Sequence, residues 1–139
     1  MVKPSMNNPK DPAEVRTDAE WQATLAPETY SVMRKHGTER AGTSPLNNEH
    51  RAGLYACAAC GLALFESNTK FDSGSGWPSF FAPLAKAVAT SADHKLGMAR
   101  TEVHCARCGG HLGHVFPDGP RPTGERYCMN GVALKFEPK

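Results

Sequence analysis

The sequence predicts a mainly β protein in which short N-terminal helices precede the strands and a metal site joins strands far apart in the chain. Helical patterns occur only before Gly37, and after it short runs rich in β-branched and aromatic residues alternate with glycines, as in "GLYAC", "TEVHC" and "VALKF". Turn residues separate these runs without an intervening helix, so we expect antiparallel strands. Two CxxC pairs, lying far apart, predict the metal site.

Length and composition favour one folded domain. A chain of 139 residues is too short to divide comfortably into two cores. Its 40% hydrophobic and 22% charged residues are typical of globular proteins. The net charge of +2 gives no electrostatic reason to expect nucleic acid or an anionic membrane as a partner.

The first residues differ in composition from the rest. Residues 1–16 carry three prolines among polar and charged residues, which predicts a disordered leader before a single domain of residues 17–139. The leader has no continuous apolar core of the kind a signal peptide needs, and no later run has the apolar length of a membrane span. We therefore expect a cytoplasmic protein, in which regularly spaced cysteines are typical of metal sites or catalysis.

Two short helices are expected before the strands. In "TDAEWQATL", Thr17 is a suitable N-cap and Glu20 completes a capping box, which predicts a helix with Trp21 on its apolar side. Pro27 suits the first turn of a second helix. Gly37 is the predicted stop of that helix, as its left-handed C-terminal residue.

The paired cysteines predict structural zinc. "CAACG" and "CARCG" supply four ligands, namely Cys57, Cys60, Cys105 and Cys108. Two CxxC turns complete a tetrahedral site with no open position for substrate. We expect the glycine after each pair to be required because a side chain would obstruct the amides that face the sulfurs. A thioredoxin-like redox CxxC is the alternative, but that motif occurs once and in a βαβ context.

Cys128 is the fifth cysteine and is left without a partner. In a strand, "RYCMN" places Arg126, Cys128 and Asn130 on one side, without an apolar neighbour. An unpaired cysteine is commonly an inert buried thiol. A guanidinium nearby, however, lowers a thiol's pKa and increases the nucleophilic thiolate, so we expect Cys128 to be reactive.

"HLGHVF" supplies His111 and His114, the side chains best suited to move protons near neutral pH. Regular alternation would put them on opposite faces of a strand, so we expect a bulge at Gly113 that turns both into one pocket. The alternative leaves one histidine in solvent.

Trp77 lies in "GSGWPSF", between a glycine and a proline, in a segment with few apolar residues. A tryptophan in such a loop commonly covers the core. It can instead form the wall of a pocket for a small apolar group, and both interpretations remain open.

Four segments in this order, "CAACG", "FDSGSGWPSF", "CARCGGHLGHVFPDGP" and "RYCMN", resemble the methionine-R-sulfoxide reductases of the B type over about residues 19–137. The resemblance implies two antiparallel sheets in a tent-like arrangement and a structural zinc site. It also implies thiol-dependent reduction of the R epimer of methionine sulfoxide, free or in oxidised proteins, as a repair activity.

The resemblance also implies roles for the site residues. Cys128 is the expected nucleophile that becomes a sulfenic acid, and Trp77 packs against the substrate methyl group. His111, His114 and Asn130 are expected to serve the sulfoxide oxygen, and Arg126 to contact the substrate. Many members carry a second cysteine where this chain has Ser75, so we expect an external thiol reductant, thioredoxin or similar. We also expect the protein to be a monomer.

The same residues exclude two other classes of function. A non-catalytic zinc-binding module has no need for a lone thiol beside two histidines and an arginine. A zinc ribbon for nucleic acid conflicts with the nearly neutral charge and the absence of basic clusters. The sequence therefore favours the reductase.

Overall fold

The computed structural model of the chain describes residues 17–93 and 100–139. The predicted leader, residues 1–16, lies outside the described residues. Within them the α-helices are α1 (Asp18–Thr24) and α2 (Pro27–Lys35), and short 3₁₀ helices cover Pro45–Asn48, Ser67–Thr69 and Gly131–Ala133. The strands are β1 (Gly53–Cys57), β2 (Ala63–Glu66), β3 (Lys70–Phe71), β4 (Ser79–Phe80), β5 (Val88–Asp93), β6 (Arg100–Cys105), β7 (His111–Phe116), β8 (Arg126–Met129) and β9 (Leu134–Pro138).

The strands form two antiparallel sheets, which confirms the predicted fold class. A three-stranded sheet has the order β2-β1-β9, and a six-stranded sheet has the order β3-β4-β8-β7-β6-β5. Every pairing in both sheets is antiparallel. No helix of the described residues has the length and apolar character needed to span a membrane. The division into a leader and a single domain of residues 17–139 stays a prediction.

The two helices begin as predicted, but α2 ends differently. Thr17 and Glu20 form the capping box of α1, with both reciprocal hydrogen bonds present. Pro27 occupies the first turn of α2. The left-handed residue after α2 is His36, with φ 56°, and not Gly37. The Gly37 N–H instead donates to the Ser31 carbonyl at 3.0 Å, so the prediction placed the stop one residue too late.

The core covers one face of the large sheet. Phe80, Val103 and Met129 are fully buried on that face. The Phe80 ring stacks on Phe65 of the small sheet at 4.3 Å and meets Tyr55 edge-on at 5.0 Å, so aromatic contacts join the two sheets. Because strand side chains alternate, the neighbours of these core residues project from the opposite face, where the site described next is found.

Candidate active site

The four paired cysteines form a compact cluster. Their sulfur atoms all lie within 4.8 Å of one another. The Sγ atoms of Cys57 and Cys108 are 3.7 Å apart, and those of Cys60 and Cys105 are 3.5 Å apart. Four thiolates about 2.3 Å from a tetrahedral zinc ion would be separated by about 3.8 Å. The donor set and its spacing therefore fit a structural zinc site.

This site connects the two sheets. Cys57 ends β1 of the small sheet and Cys105 ends β6 of the large sheet, and both are buried. Gly61 and Gly109 follow the two pairs with φ of 83° and 76°. A Cβ atom at either glycine would meet nothing within 4 Å, so the predicted steric obstruction is wrong. The glycines are needed because each turn requires a left-handed backbone.

A row of polar side chains crosses the large sheet on the face opposite the core. Cys128 lies directly across from Ser79 on β4 and from His114 on β7. His114 in turn lies across from Glu102 on β6. Residues directly opposed in an antiparallel sheet project from the same face. Strand register therefore places the unpaired thiol beside a histidine.

A bulge brings the second histidine onto the same face. Val103 pairs with Gly113, but the next residue, His104, pairs with His111, so Leu112 is the additional residue of β7. The His111 and His114 rings consequently lie 5.4 Å apart. The expected bulge exists, but it is at Leu112. Gly113 pairs regularly, and an added Cβ there would overlap the Cys128 carbonyl oxygen, so this glycine permits β8 to approach.

Both histidines are bound to carboxylates. The His111 Nδ1–H donates to Glu102 Oε2 at 2.8 Å, and the His114 Nε2–H donates to Asp93 Oδ2 at 2.8 Å. The same Glu102 oxygen also accepts from His36 Nε2 at 3.2 Å. Burial lowers the pKa of His111, although the nearby Glu102 carboxylate opposes this shift. The lowered pKa favours the neutral imidazole.

Cys128 is half-buried, and its environment differs from the expected one. Burial raises the pKa of its thiol above the usual value, and the Glu39 carboxylate adds to that rise. A hydrogen bond from Ser75 and the charge of Arg126 oppose the rise. Arg126 thus acts in the predicted direction, but the expected net lowering is wrong because desolvation of the thiolate is the larger effect.

Arg126 has an acidic partner of its own. Its Nε and Nη2 atoms donate to the two carboxylate oxygens of Asp118 at 2.9 and 3.1 Å. The guanidinium also lies over the Phe116 ring, 4.5 Å from the ring centroid. These contacts fix the guanidinium beside Cys128, and a contact of Arg126 with substrate stays a prediction.

Glu39, which the sequence analysis missed, ties Trp77 to Asn130. The Trp77 indole N–H donates to the Glu39 carbonyl at 3.0 Å, and the Glu39 N–H donates to Asn130 Oδ1 at 2.9 Å. The Glu39 carboxylate accepts from the Gly131 and Val132 N–H groups. No local sequence signal indicates this contact, because Glu39 lies far from Asn130 in the chain.

Asn130 is buried directly after β8, and its side-chain amide also binds the backbone. Its Nδ2 donates to the Leu112 carbonyl at 3.0 Å, next to the bulge that orients the histidines. The structure thus brings together Cys128, the two histidines, Ser75 and Arg126 on or beside one face of the sheet. Contacts of Trp77 and Asn130 with substrate stay predictions.

Two antiparallel sheets held by four thiolates, with a fifth thiol among histidines on the other face, define a small zinc-binding thiol protein. Residues 25–138 match the SelR domain, and the chain belongs to that family. It is 54% identical over 134 residues to a peptide methionine sulfoxide reductase MsrB of Agrobacterium fabrum (strain C58), covering 96% of this chain and 99% of the relative.

Other relatives carry the same name. The peptide methionine sulfoxide reductase MsrB of Leifsonia xyli subsp. xyli is 58% identical over 126 residues, which is 89% of this chain and 91% of the relative. That of Thiobacillus denitrificans is 57% identical over 127 residues, which is 91% of this chain and 96% of the relative. The similarity therefore extends over nearly the whole length of these proteins.

Proposed function

We infer that the chain is a peptide-methionine (R)-S-oxide reductase, which reduces methionine sulfoxide to methionine. The observation that carries this inference is the half-buried Cys128, which lies directly across from His114 on the polar face of the large sheet. The similarity to named methionine sulfoxide reductases over 96% of the chain supports it. The zinc site is set apart from this thiol and stabilises the fold.

The first step is an oxygen transfer to Cys128. The Cys128 thiolate attacks the sulfoxide sulfur, which gains two electrons and leaves as methionine, while the oxygen passes to the cysteine sulfur as a sulfenic acid. Negative charge develops on the oxygen as its bond to the substrate sulfur breaks. A proton donor beside the nucleophile is therefore required.

We assign proton donation mainly to His114, from Nδ1 of its protonated form, because it is opposed to Cys128 and its Nε2–H is held by Asp93. His111 has a lowered pKa and donates its Nδ1–H to Glu102, so near pH 7 it has no second proton for the oxygen, and we assign it the support of the His114 ring, 5.4 Å away. Trp77 is the proposed wall for the substrate methyl group. When the sulfoxide oxygen is held near the histidines and the substrate methyl group against Trp77, only one epimer can present its sulfur to Cys128.

The histidine assignment predicts unequal effects of two alanine substitutions. His114→Ala is expected to slow sulfenic acid formation by about two to four orders of magnitude, the usual contribution of general acid catalysis. His111→Ala is expected to have a smaller effect at pH 7. Rapid-quench measurement of methionine release in a single turnover compares them, and equal rates for His114→Ala and the unchanged protein would exclude the assignment.

Recycling of Cys128 is proposed to use an external thiol, thioredoxin or similar. The position of the second cysteine of many relatives holds Ser75, and the other four cysteines belong to the zinc site. Thiolate ligands and an unpaired nucleophile suit a reducing compartment, so we propose a cytoplasmic enzyme. We further propose that it acts as a monomer, without nucleic acid or membrane partners.

Epimer-resolved turnover tests the function. With dithiothreitol as reductant, the protein is expected to convert the R epimer of methionine sulfoxide to methionine, in free or peptide form, and to leave the S epimer unchanged. Chromatographic separation of the products measures both. Conversion of the S epimer at the same rate, or of neither epimer, would contradict the inference.

A further inference from the structure

Three serine hydroxyls form a hydrogen-bonded chain that ends at Cys128. Ser75 Oγ lies 3.8 Å from Cys128 Sγ, Ser73 Oγ lies 2.8 Å from Ser75 Oγ, and Ser79 Oγ lies 2.7 Å from Ser73 Oγ. We call Ser73, Ser75 and Ser79 the serine chain. It reaches the position next to the nucleophile where many relatives carry a second cysteine.

The direction of hydrogen bonding in the serine chain depends on the state of Cys128. Each hydroxyl carries one proton and accepts at two lone pairs. When Cys128 is a thiol, its S–H can donate to Ser75 and every hydroxyl can donate onward, with Ser79 donating to the Trp77 carbonyl at 3.1 Å. When Cys128 is a thiolate, rotation of the hydroxyls reverses the direction, and Ser75 donates to the sulfur.

The backbone holds the oxygen atoms in place while the protons rotate. The Ser75 N–H donates to Ser73 Oγ at 3.2 Å, and the Trp77 N–H donates to Ser75 Oγ at 3.4 Å. Ser79 is buried in β4 and is paired directly with Cys128. The backbone of the loop before Trp77 and of β4 therefore fixes the hydroxyl donor beside Cys128.

We propose that Ser75 is a catalytic hydrogen-bond donor to Cys128, which stabilises its thiolate and then the oxygen leaving its sulfenic acid, and that Ser73 and Ser79 position it. The second part rests on the proposed function. Hydrogen bonds to ionised acceptors are stronger than those between neutral groups. A donor at Ser75 therefore stabilises the Cys128 thiolate and the negative charge that develops on the departing oxygen. A second cysteine would itself attack the sulfenic acid. In this proposal Ser75 does not attack, but assists the attack of an external thiol.

In the assisted step the external thiol and the Cys128 sulfenic acid condense to a mixed disulfide and water. The sulfur of the external thiol attacks the Cys128 sulfur, so that a disulfide bond forms and the bond from sulfur to oxygen breaks. The attacking sulfur is oxidised and the Cys128 sulfur is reduced. The oxygen leaves as water, taking the proton of the external thiol, while Ser75 donates a hydrogen bond to the departing oxygen. A second external thiol then releases Cys128.

Other charged or titratable groups also face Cys128, so the contribution of Ser75 must be measured by difference. Arg126 lies on the same strand, His114 lies on β7, and the Glu39 carboxylate acts from the segment after α2. None of them changes when Ser75 is replaced. Ser75→Ala removes the donor, and Ser75→Thr retains it.

Two measurements test the proposal. The first is the pH dependence of Cys128 alkylation by iodoacetamide, quantified on the Cys128 peptide by mass spectrometry. The second is the rate at which dithiothreitol reduces the Cys128 sulfenic acid, formed with hydrogen peroxide so that no methionine sulfoxide is needed. The matched control is Ser91→Ala, which removes an exposed hydroxyl on β5 of the same sheet.

In Ser75→Ala we expect the Cys128 pKa to rise by about one unit, which is about a tenfold loss of thiolate below the pKa. We also expect sulfenic acid reduction to slow about tenfold, whereas Ser75→Thr and Ser91→Ala behave as the unchanged protein does. Ser73→Ala is expected to raise the pKa by a smaller amount.

An unchanged Cys128 pKa and an unchanged reduction rate in Ser75→Ala would overturn the proposal. An effect of Ser75→Ala without any effect of Ser73→Ala would overturn the positioning role of the serine chain. Because the first measurement uses iodoacetamide and the second uses peroxide and dithiothreitol, neither needs methionine sulfoxide, and both remain interpretable if the protein fails to reduce it. Failure of the proposed function and failure of this inference are therefore distinguishable.

Discussion

Replacement of Cys128 by serine is expected to abolish reduction of the R-sulfoxide and to leave zinc binding and folding intact. A serine hydroxyl is not appreciably ionised near neutral pH and cannot act as the nucleophile unless a base activates it. Cys128 does not belong to the four-sulfur cluster, and its partial burial leaves little packing to lose on this small change. Turnover with dithiothreitol, zinc content and thermal unfolding together measure the outcome.

Ser91→Ala is the matched control for the Cys128→Ser protein, because it changes an exposed side chain on the same sheet. That control is expected to keep full turnover. Residual turnover of Cys128→Ser above the background reaction of dithiothreitol would show that another group attacks the sulfoxide. Loss of zinc from this variant would show that the two sites are not separate.

Replacement of Cys105 by serine is expected to release zinc and to lower the free energy of unfolding by an amount on the order of several kcal/mol. Cys105 is buried at the end of β6, and its site joins that strand to Cys57 of the small sheet. Removal of one thiolate leaves an incomplete ligand set and a polar atom in a buried place. Metal analysis and denaturant unfolding measure the two effects.

Cys128→Ser is the appropriate comparison for this stability measurement, because it removes one thiol without touching the zinc ligands. Extraction of zinc from the unchanged protein by a chelator is expected to cause a similar loss of stability. A Cys105→Ser protein that is free of zinc but as stable as the unchanged protein would contradict a structural role for the metal.

The metal site and the strands were predictable because their signals are local. A CxxC turn presents its two thiolates whatever surrounds it, so the sequence alone predicted the four cysteines that cluster in a zinc-like arrangement. Runs of β-branched residues between glycines likewise indicated strands. The arrangement in two sheets came from the resemblance to a family, since strand order depends on contacts between distant segments.

The surroundings of Cys128 were less predictable for the same reason. Glu102 and Asp93 bind the two histidines only because strand register places them there. The position of the bulge at Leu112, and not at Gly113, depends on how β7 meets β6. The raised pKa of Cys128 depends on its burial, which the sequence "RYCMN" does not specify.

The serine chain was only partly predictable from the sequence. Ser73, Ser75 and Ser79 stand close together in the sequence, so their proximity to one another could have been expected. Their convergence on Cys128 depends on the pairing of β4 with β8. In the sequence, Ser75 stands out only as the place of a missing thiol, because its hydroxyl has a donor role only beside a half-buried sulfur.

One turnover without reductant tests the central claim most directly. The protein is mixed with excess R-epimer of methionine sulfoxide, the methionine released per chain is counted, and the cysteine peptides are analysed by mass spectrometry after a sulfenic acid trap. We predict one methionine per chain, a sulfenic acid on Cys128, and intact thiols at the four zinc ligands. A disulfide between Cys128 and any of those ligands, or methionine release with Cys128 unmodified, would contradict the account.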